Sequence, residues 1–176
     1  MVDTEERLTR SQVVARTFGV LFAASVFGLW IYAFLIYDPG LMVDELADRT
    51  FPIAAEEICA ETSDRLDALP PAFRSPTAAD RADVVEAANG ELRTMVGRLR
   101  GIVPPDQGQI TTGIGEWLDD WGRYIDDRQQ YADELRLDSE SRFTESVKAN
   151  RQISRAIDSF AQVNRMKSCT TPGDVG

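Results

Sequence analysis

Residues 18–37 read FGVLFAASVFGLWIYAFLIY, and how this stretch is read decides the fold. It carries no charge, and Ser25 is its only hydroxyl apart from Tyr32 and Tyr37. Twenty helical residues rising about 1.5 Å each cover about 30 Å, the thickness of a bilayer's hydrocarbon core. Trp30, Tyr32 and Tyr37 crowd the C-terminal half, where an aromatic belt would meet the headgroups, and Asp38-Pro39-Gly40 ends the run. The stretch is therefore expected to be a transmembrane helix. A secretory signal peptide would have a shorter apolar core, about 7–15 residues, closing on a small-x-small cleavage site. This run is longer and ends in Leu35-Ile36-Tyr37-Asp38, which favours an uncleaved anchor.

Working outward, the flanks give an orientation. Arg7, Arg10 and Arg16 precede the span, whereas Arg49 is the first basic residue after it. Positive residues stay inside, so the N-terminus is expected in the cytoplasm and the rest of the chain beyond the membrane. The resulting order is a cytoplasmic tail over 1–17, a transmembrane helix over 18–37, a connector over 38–52, a helical bundle over 53–168 and a frayed tail over 169–176. Inside the span, Gly19/Ala23 and Ala24/Gly28 are small residues four apart, a spacing that lets two membrane helices approach and makes a homo-oligomer conceivable.

The chain has no histidine. That count removes Ser-His-Asp triads, Cys-His pairs and His-bearing metal sites, along with the usual switch near neutral pH. Residues 1–17 balance three acids against three bases, so the net charge of −10 belongs to residues 18–176. An acidic domain repels nucleic acid phosphates and gains nothing from anionic headgroups, so neither is expected as its partner.

Beyond the span, four amphipathic helical patterns can be read. The first covers 53–69 with Ala55, Ile58, Thr62, Leu66 and Leu69 on one face. A short helical piece over 41–50 precedes it, and Pro70-Pro71 ends it. The second covers 77–100, with a hydroxyl cap in Ser75-Pro76-Thr77 and a stripe of Val85, Ala88, Leu92, Met95 and Leu99. The third covers 109–136, with Ile110, Ile114, Trp117, Leu118, Trp121, Ile125, Ala132 and Leu135. The fourth covers 140–168, with Phe143, Val147, Asn150, Ile153, Ile157, Phe160 and Asn164. The expected class is all-α: one transmembrane helix, then an extracytoplasmic antiparallel four-helix bundle.

Cys59 and Cys169 are the only cysteines. Beyond the cytoplasm such a pair is usually oxidised, so an intramolecular disulfide is expected. Full-length helices would leave Cys169 about 20 Å nearer the membrane than Cys59, a gap that an extended Pro70–Pro76 loop would have to climb.

The densest chemical feature is Trp117-Leu118-Asp119-Asp120-Trp121-Gly122-Arg123-Tyr124. Trp117, Trp121 and Tyr124 share a face, which is either the buried stripe of a bundle helix or an exposed ridge that docks a partner. Asp119, Arg123 and Asp127 at successive spacings of four suggest a ladder of surface ion pairs. Asn150 and Asn164 fall on the apolar stripe of the fourth pattern, where they would set helix register or line a polar pocket. No EF-hand, phosphate loop, dinucleotide turn or nucleophile elbow is present, so no catalytic residue, metal or cofactor is assigned. The expected function is that of a membrane-anchored, non-enzymatic protein of the cell envelope, an accessory subunit acting by contact with another envelope or membrane protein. The alternative is a ligand-sensing ectodomain. With a cytoplasmic part of about 17 residues it would signal through a partner chain.

Overall fold

The structure, a computed structural model, describes residues 10–33 and 44–175, in two compact units, Met1–Gly40 and Leu41–Gly176. In the first unit, helix α1 runs from Arg10 to Ile31. It contains an 18-residue stretch, Val14–Ile31, long and apolar enough to cross a membrane, and none of that stretch is buried. Phe18, Phe22, Phe27 and Trp30 all stand well exposed around it. Length and composition suit an anchor or a signal sequence alike. The helix begins ahead of the uncharged run because residues 10–17 contain no breaker. The expected end of the span, residues 34–37, and the stop at 38–40 lie outside the described residues, as do residues 1–9.

The second unit is mostly helical: α2 spans Thr50–Asp67, α3 Ala78–Gly101, α4 Gln109–Leu137 and α5 Ile153–Val163. Helix α2 starts three residues before its expected start. The Asp48 carboxylate accepts from the backbone N–H and the hydroxyl of Thr50, and Pro52 falls in the first turn, where its missing N–H leaves no bond unmade. Of the described part of the expected 41–50 helix, residues 44–49 are not helical and Thr50 already belongs to α2. Helix α3 is capped as expected: the Thr77 hydroxyl accepts from Asp80 N–H at 3.1 Å and donates to the Asp80 carboxylate at 2.7 Å.

Polar pairs across the helices fix their directions. Arg136 meets Asp83 and Glu86, Arg128 meets Asn89, Arg93 meets Gln129, and Arg100 meets Asp119. From Asp83–Arg136 to Arg100–Asp119 the two helices are numbered in opposite directions, so α3 and α4 are antiparallel. Arg65–Glu91 and Arg98–Glu61 show the same for α2 and α3. The apolar faces between them form one large cluster centred on Leu92, Met95, Ile114, Trp117, Leu118 and Trp121. A smaller cluster is built from Ala82, Val85, Tyr131, Ala132 and Leu135.

The fourth expected helix, 140–168, is mostly not a helix. Only Ile153–Val163 is helical. Before it lies an antiparallel hairpin of two short strands, β1 (Val147–Lys148) and β2 (Arg151–Gln152), turning through Ala149 and Asn150. Both turn residues have positive φ, 51° and 62°, which is the two-residue type I′ geometry that matches strand twist. The hairpin is tied to α4 by side chains. Asp127 accepts from Ser146 N–H at 2.7 Å and from its hydroxyl at 2.8 Å, and Lys148 pairs with Asp120 at 2.5 Å. Val147, placed by period on a buried stripe, is 69% exposed, and Asn150 is exposed in the turn.

The chain reverses after α5 through a Schellman cap. Arg165 takes φ 59°, its N–H bonds Gln162 O at 3.0 Å, and Met166 N–H reaches back to Ala161 O at 2.8 Å. The next 3₁₀ turn, Lys167–Cys169, runs against α2. A Cys59–Cys169 disulfide joins them, with Cα atoms 5.1 Å apart. The offset expected from a full-length fourth helix does not arise: α5 has eleven residues and the chain turns back directly. The terminal segment is not frayed either. Cys169 is buried, Thr170–Pro172 are half-buried, and Thr171 N–H donates to Asp158 at 2.7 Å.

Candidate functional site

The aromatic patch of α4 is core. Trp117, Trp121 and Tyr124 are 2%, 1% and 2% exposed. Trp117 stacks on Phe160 with centroids 5.2 Å apart, meets Phe51 edge-on at 6.3 Å, and donates its Nε1–H to Ile157 O at 3.2 Å. Trp121 meets Tyr124 edge-on at 5.9 Å. The docking ridge expected of these three residues therefore has no surface: Phe51 of α2 and Phe160 of α5 cover Trp117, and Phe143 and the Pro172 carbonyl meet Tyr124. The expected aspartate ladder is absent as well. Asp119 pairs with Arg100 across helices, Asp120 holds Lys148, and Asp127 holds the hairpin. Arg123 itself meets only Asp120 among these carboxylates, at 3.9 Å.

Of the two asparagines, Asn164 is fully buried. Its Oδ1 accepts from Leu46 N–H at 2.8 Å, and its Nδ2 donates to Asp44 O and Phe160 O, both at 2.9 Å. It clips the connector before α2 to the end of α5, a register role rather than a pocket role. Among the described residues, no group of three or more Cys, Asp or Glu is gathered to hold a metal ion.

A cavity of about 420 Å³ does lie in this unit, bounded by α2, the α2–α3 loop, α3, Trp121 of α4 and the C-terminal segment 167–174. That volume falls in the range of small-molecule sites. Its apolar wall comes from Leu66, Val84, Ala88, Leu92 and Met95, and Cys59 of the disulfide also faces it. Its polar lining includes Thr62, Ser63, Asp67, Lys167, Thr171 and Asp174. Trp121 lines the cavity, and its buried Nε1–H finds no hydrogen-bond partner among the described residues. A buried donor left this way costs about 1–3 kcal/mol.

Behind that wall sits Arg128, 0% exposed. Its Nε donates to Asn89 Oδ1 at 2.7 Å, and its two terminal nitrogens hold the carboxylate of Asp174 at 2.6 and 2.8 Å. Burial works against the guanidinium charge, but the hydrogen bonds and charge of Asp174 outweigh it and hold the Arg128 pKa above its ordinary value. The guanidinium also lies 5.7 Å from the Tyr124 ring centroid. Burial pushes the Tyr124 phenol up to about 12, and its hydroxyl donates to Pro172 O at 3.2 Å. The Asn89 Oδ1 contact fixes the amide orientation and leaves Nδ2 as a second buried donor without a partner among the described residues.

Sequence reasoning passed over Arg128, Asn89 and Asp174. One signal was available for Arg128: it interrupts the α4 stripe between Ile125 and Ala132, and a cation on a buried face must be paired. Comparisons with protein families, with curated proteins and with solved structures find no match to this chain.

Proposed function

We propose that this chain is a single-pass, membrane-anchored protein of the cell envelope. Its helical domain lies outside the cytoplasm, binds a small ligand without transforming it, and signals through a partner protein in the membrane. The observation that carries the ligand reading is the cavity of about 420 Å³, walled by Leu66, Val84, Ala88, Leu92 and Met95 and bordered by Asp174. Exposed apolar residues all round α1 and the flanking arginines support the anchor and its orientation. The Cys59–Cys169 bridge supports an oxidising compartment.

The purely interactive reading is weaker, since the aromatic face on which it drew is covered. Contact with another membrane chain, or with a second copy, falls instead to α1. There Gly19 and Gly28 have no atom of this chain within 4 Å of where a Cβ would stand.

Two measurements test the proposal. An epitope at the C-terminus is expected to be digested by protease added to intact spheroplasts; full protection would overturn the compartment. Ligand-observed NMR with a fragment set on the full chain in neutral detergent is expected to give hits that Ala88→Met removes by filling the cavity. Hits that bind both forms equally would overturn the site.

A further inference from the structure

Resting on the cavity as a ligand site, we infer its ligand class: a small monocarboxylate with an apolar body, for which Asp174 is the chain's own stand-in. The polar lining of the cavity mixes hydroxyls and charges, with Thr62, Ser63, Thr171 and Lys167 beside the carboxylates of Asp67 and Asp174. Trp121 Nε1 and Asn89 Nδ2 are buried with no acceptor among the described residues, and the Arg128 fork is fully enclosed. Of these donors the Arg128 fork alone is completed, by the Asp174 carboxylate, gripped through both oxygens at 2.6 and 2.8 Å. A guanidinium fork matched to two oxygens in one plane selects a carboxylate over an amide or an alcohol.

Position makes Asp174 the replaceable member of the pair. It borders the cavity, whereas Arg128 does not, so the carboxylate stands between the cavity and the guanidinium. Upstream, the chain is fastened by the disulfide and by Thr171 on Asp158. Between that fastening and Asp174 lies Gly173, exposed and with no atom within 4 Å of where its Cβ would stand, and beyond it Val175 packs on the Ala82–Tyr131 cluster, so release of Asp174 has to loosen that contact as well. The Asp174 side chain keeps 30% exposure, enough for water to take it over when it leaves.

An incoming carboxylate would exchange with Asp174 and leave Arg128 paired throughout, while its body packs on Val84, Ala88, Leu92 and Met95. A neutral isostere can fill the apolar space but cannot replace the charge on the fork. Because the intramolecular carboxylate competes, the apparent affinity of the external one is reduced by the fraction of chains in which Asp174 is bound. Removing its charge should tighten binding.

The test uses the full chain in phosphatidylcholine nanodiscs with ¹⁵N-labelled indoles, the Trp121 resonance being assigned through Trp121→Phe. The probes are phenylacetate and the neutral phenylacetamide. Phenylacetate is expected to move the Trp121 Nε1–H resonance and to bind at least about tenfold more tightly than the amide. Asp174→Asn should lower the phenylacetate Kd by about tenfold or more. Arg128→Lys, which keeps the charge and loses the fork, should abolish the preference for acid over amide. Equal binding of acid and amide overturns the carboxylate class and leaves the cavity reading standing. A preference for acid that Asp174→Asn leaves unchanged overturns the stand-in. Binding of neither probe at millimolar concentration, to the wild type or to Asp174→Asn, overturns both the class and the cavity reading.

Discussion

Replacing Cys59 and Cys169 together by alanine should destabilise the folded unit strongly without changing its shape. The bridge joins residues 110 apart in sequence, and closing a loop of that size restricts the unfolded chain by on the order of 4–5 kcal/mol in a chain-entropy model. Both cysteines are buried, at 1% and 0% exposure, so losing two sulfurs adds roughly 1 kcal/mol of unfilled space. For a domain of this size a kcal/mol moves Tm by about 2–4 °C, which puts the expected fall at roughly 10–20 °C.

The shape should survive because the segment around Cys169 is held by more than sulfur. Ser168 N–H and hydroxyl donate to Glu56 at 3.0 and 2.9 Å, Thr171 donates to Asp158, and Asp174 is held by Arg128. The assay is thermal and urea unfolding of the full chain in neutral detergent, followed by circular dichroism, with matched far-ultraviolet spectra at 20 °C. The urea m-value should rise, since an uncrosslinked unfolded chain exposes more surface. A variant melting within about 3 °C of the parent, or one that has already lost helix at 20 °C, would refute the reasoning. The first result would mean that the bridge does not act on the unfolded chain. The second would mean that the segment is not held without it.

Three other perturbations address different parts of the fold. Asn164→Ala strands Leu46 N–H and Asp44 C=O where the connector meets α5, and should cost about 2–3 kcal/mol in urea unfolding; a cost under about 0.5 kcal/mol would show that the clip carries no weight. Ala149→Gly relieves a non-glycine residue at φ 51° in the hairpin turn and should raise stability by about 0.5–1 kcal/mol, so a lower Tm would refute the type I′ turn. Tyr124, held up to about 12 chiefly by burial, keeps its proton in the folded chain after the unfolded chain has lost it near 10. Its contribution is therefore complete below pH 10 and is lost as pH rises from 10 to 12, a fall of roughly 2–3 kcal/mol, visible as one late phenolate transition at 295 nm that Tyr124→Phe removes.

Three helices of this unit were legible in the sequence because each carries its own signals. Thr77 caps α3, Pro70-Pro71 and Pro104-Pro105 delimit its neighbours, and the apolar period of α4 holds for seven turns. The fourth pattern misled because period alone was read. Phe143, Val147, Asn150 and Ile153 keep helical spacing, yet Ser141, Thr144, Ser146 and Val147 lose freedom or compete for backbone bonds in a helix, and the Ser146 hydroxyl has the Asp127 carboxylate of α4 within reach. The tertiary partner decided the outcome: Asp127 takes the N–H and hydroxyl of Ser146, bonds that a helix over 140–152 would have had to make internally.

The cavity was illegible for a related reason: no single segment contains it. It exists because the chain reverses at Arg165, and that reversal puts a non-glycine residue at φ 59°, which spacing does not announce. Once reversed, residues 167–174 bring Asp174 to Arg128, and a cation that broke the stripe of α4 acquires its counter-charge from 46 residues away. Removing one partner of a buried pair costs far more than replacing both with apolar groups, so the pairing resists piecemeal loss. That asymmetry separates the structural and functional meanings of Asp174. If the pair serves stability alone, an Arg128→Met, Asp174→Leu double variant should be at least as stable as the parent and should leave probe binding unchanged. If Arg128 is a receptor fork, the same variant should keep its Tm and lose its carboxylate preference.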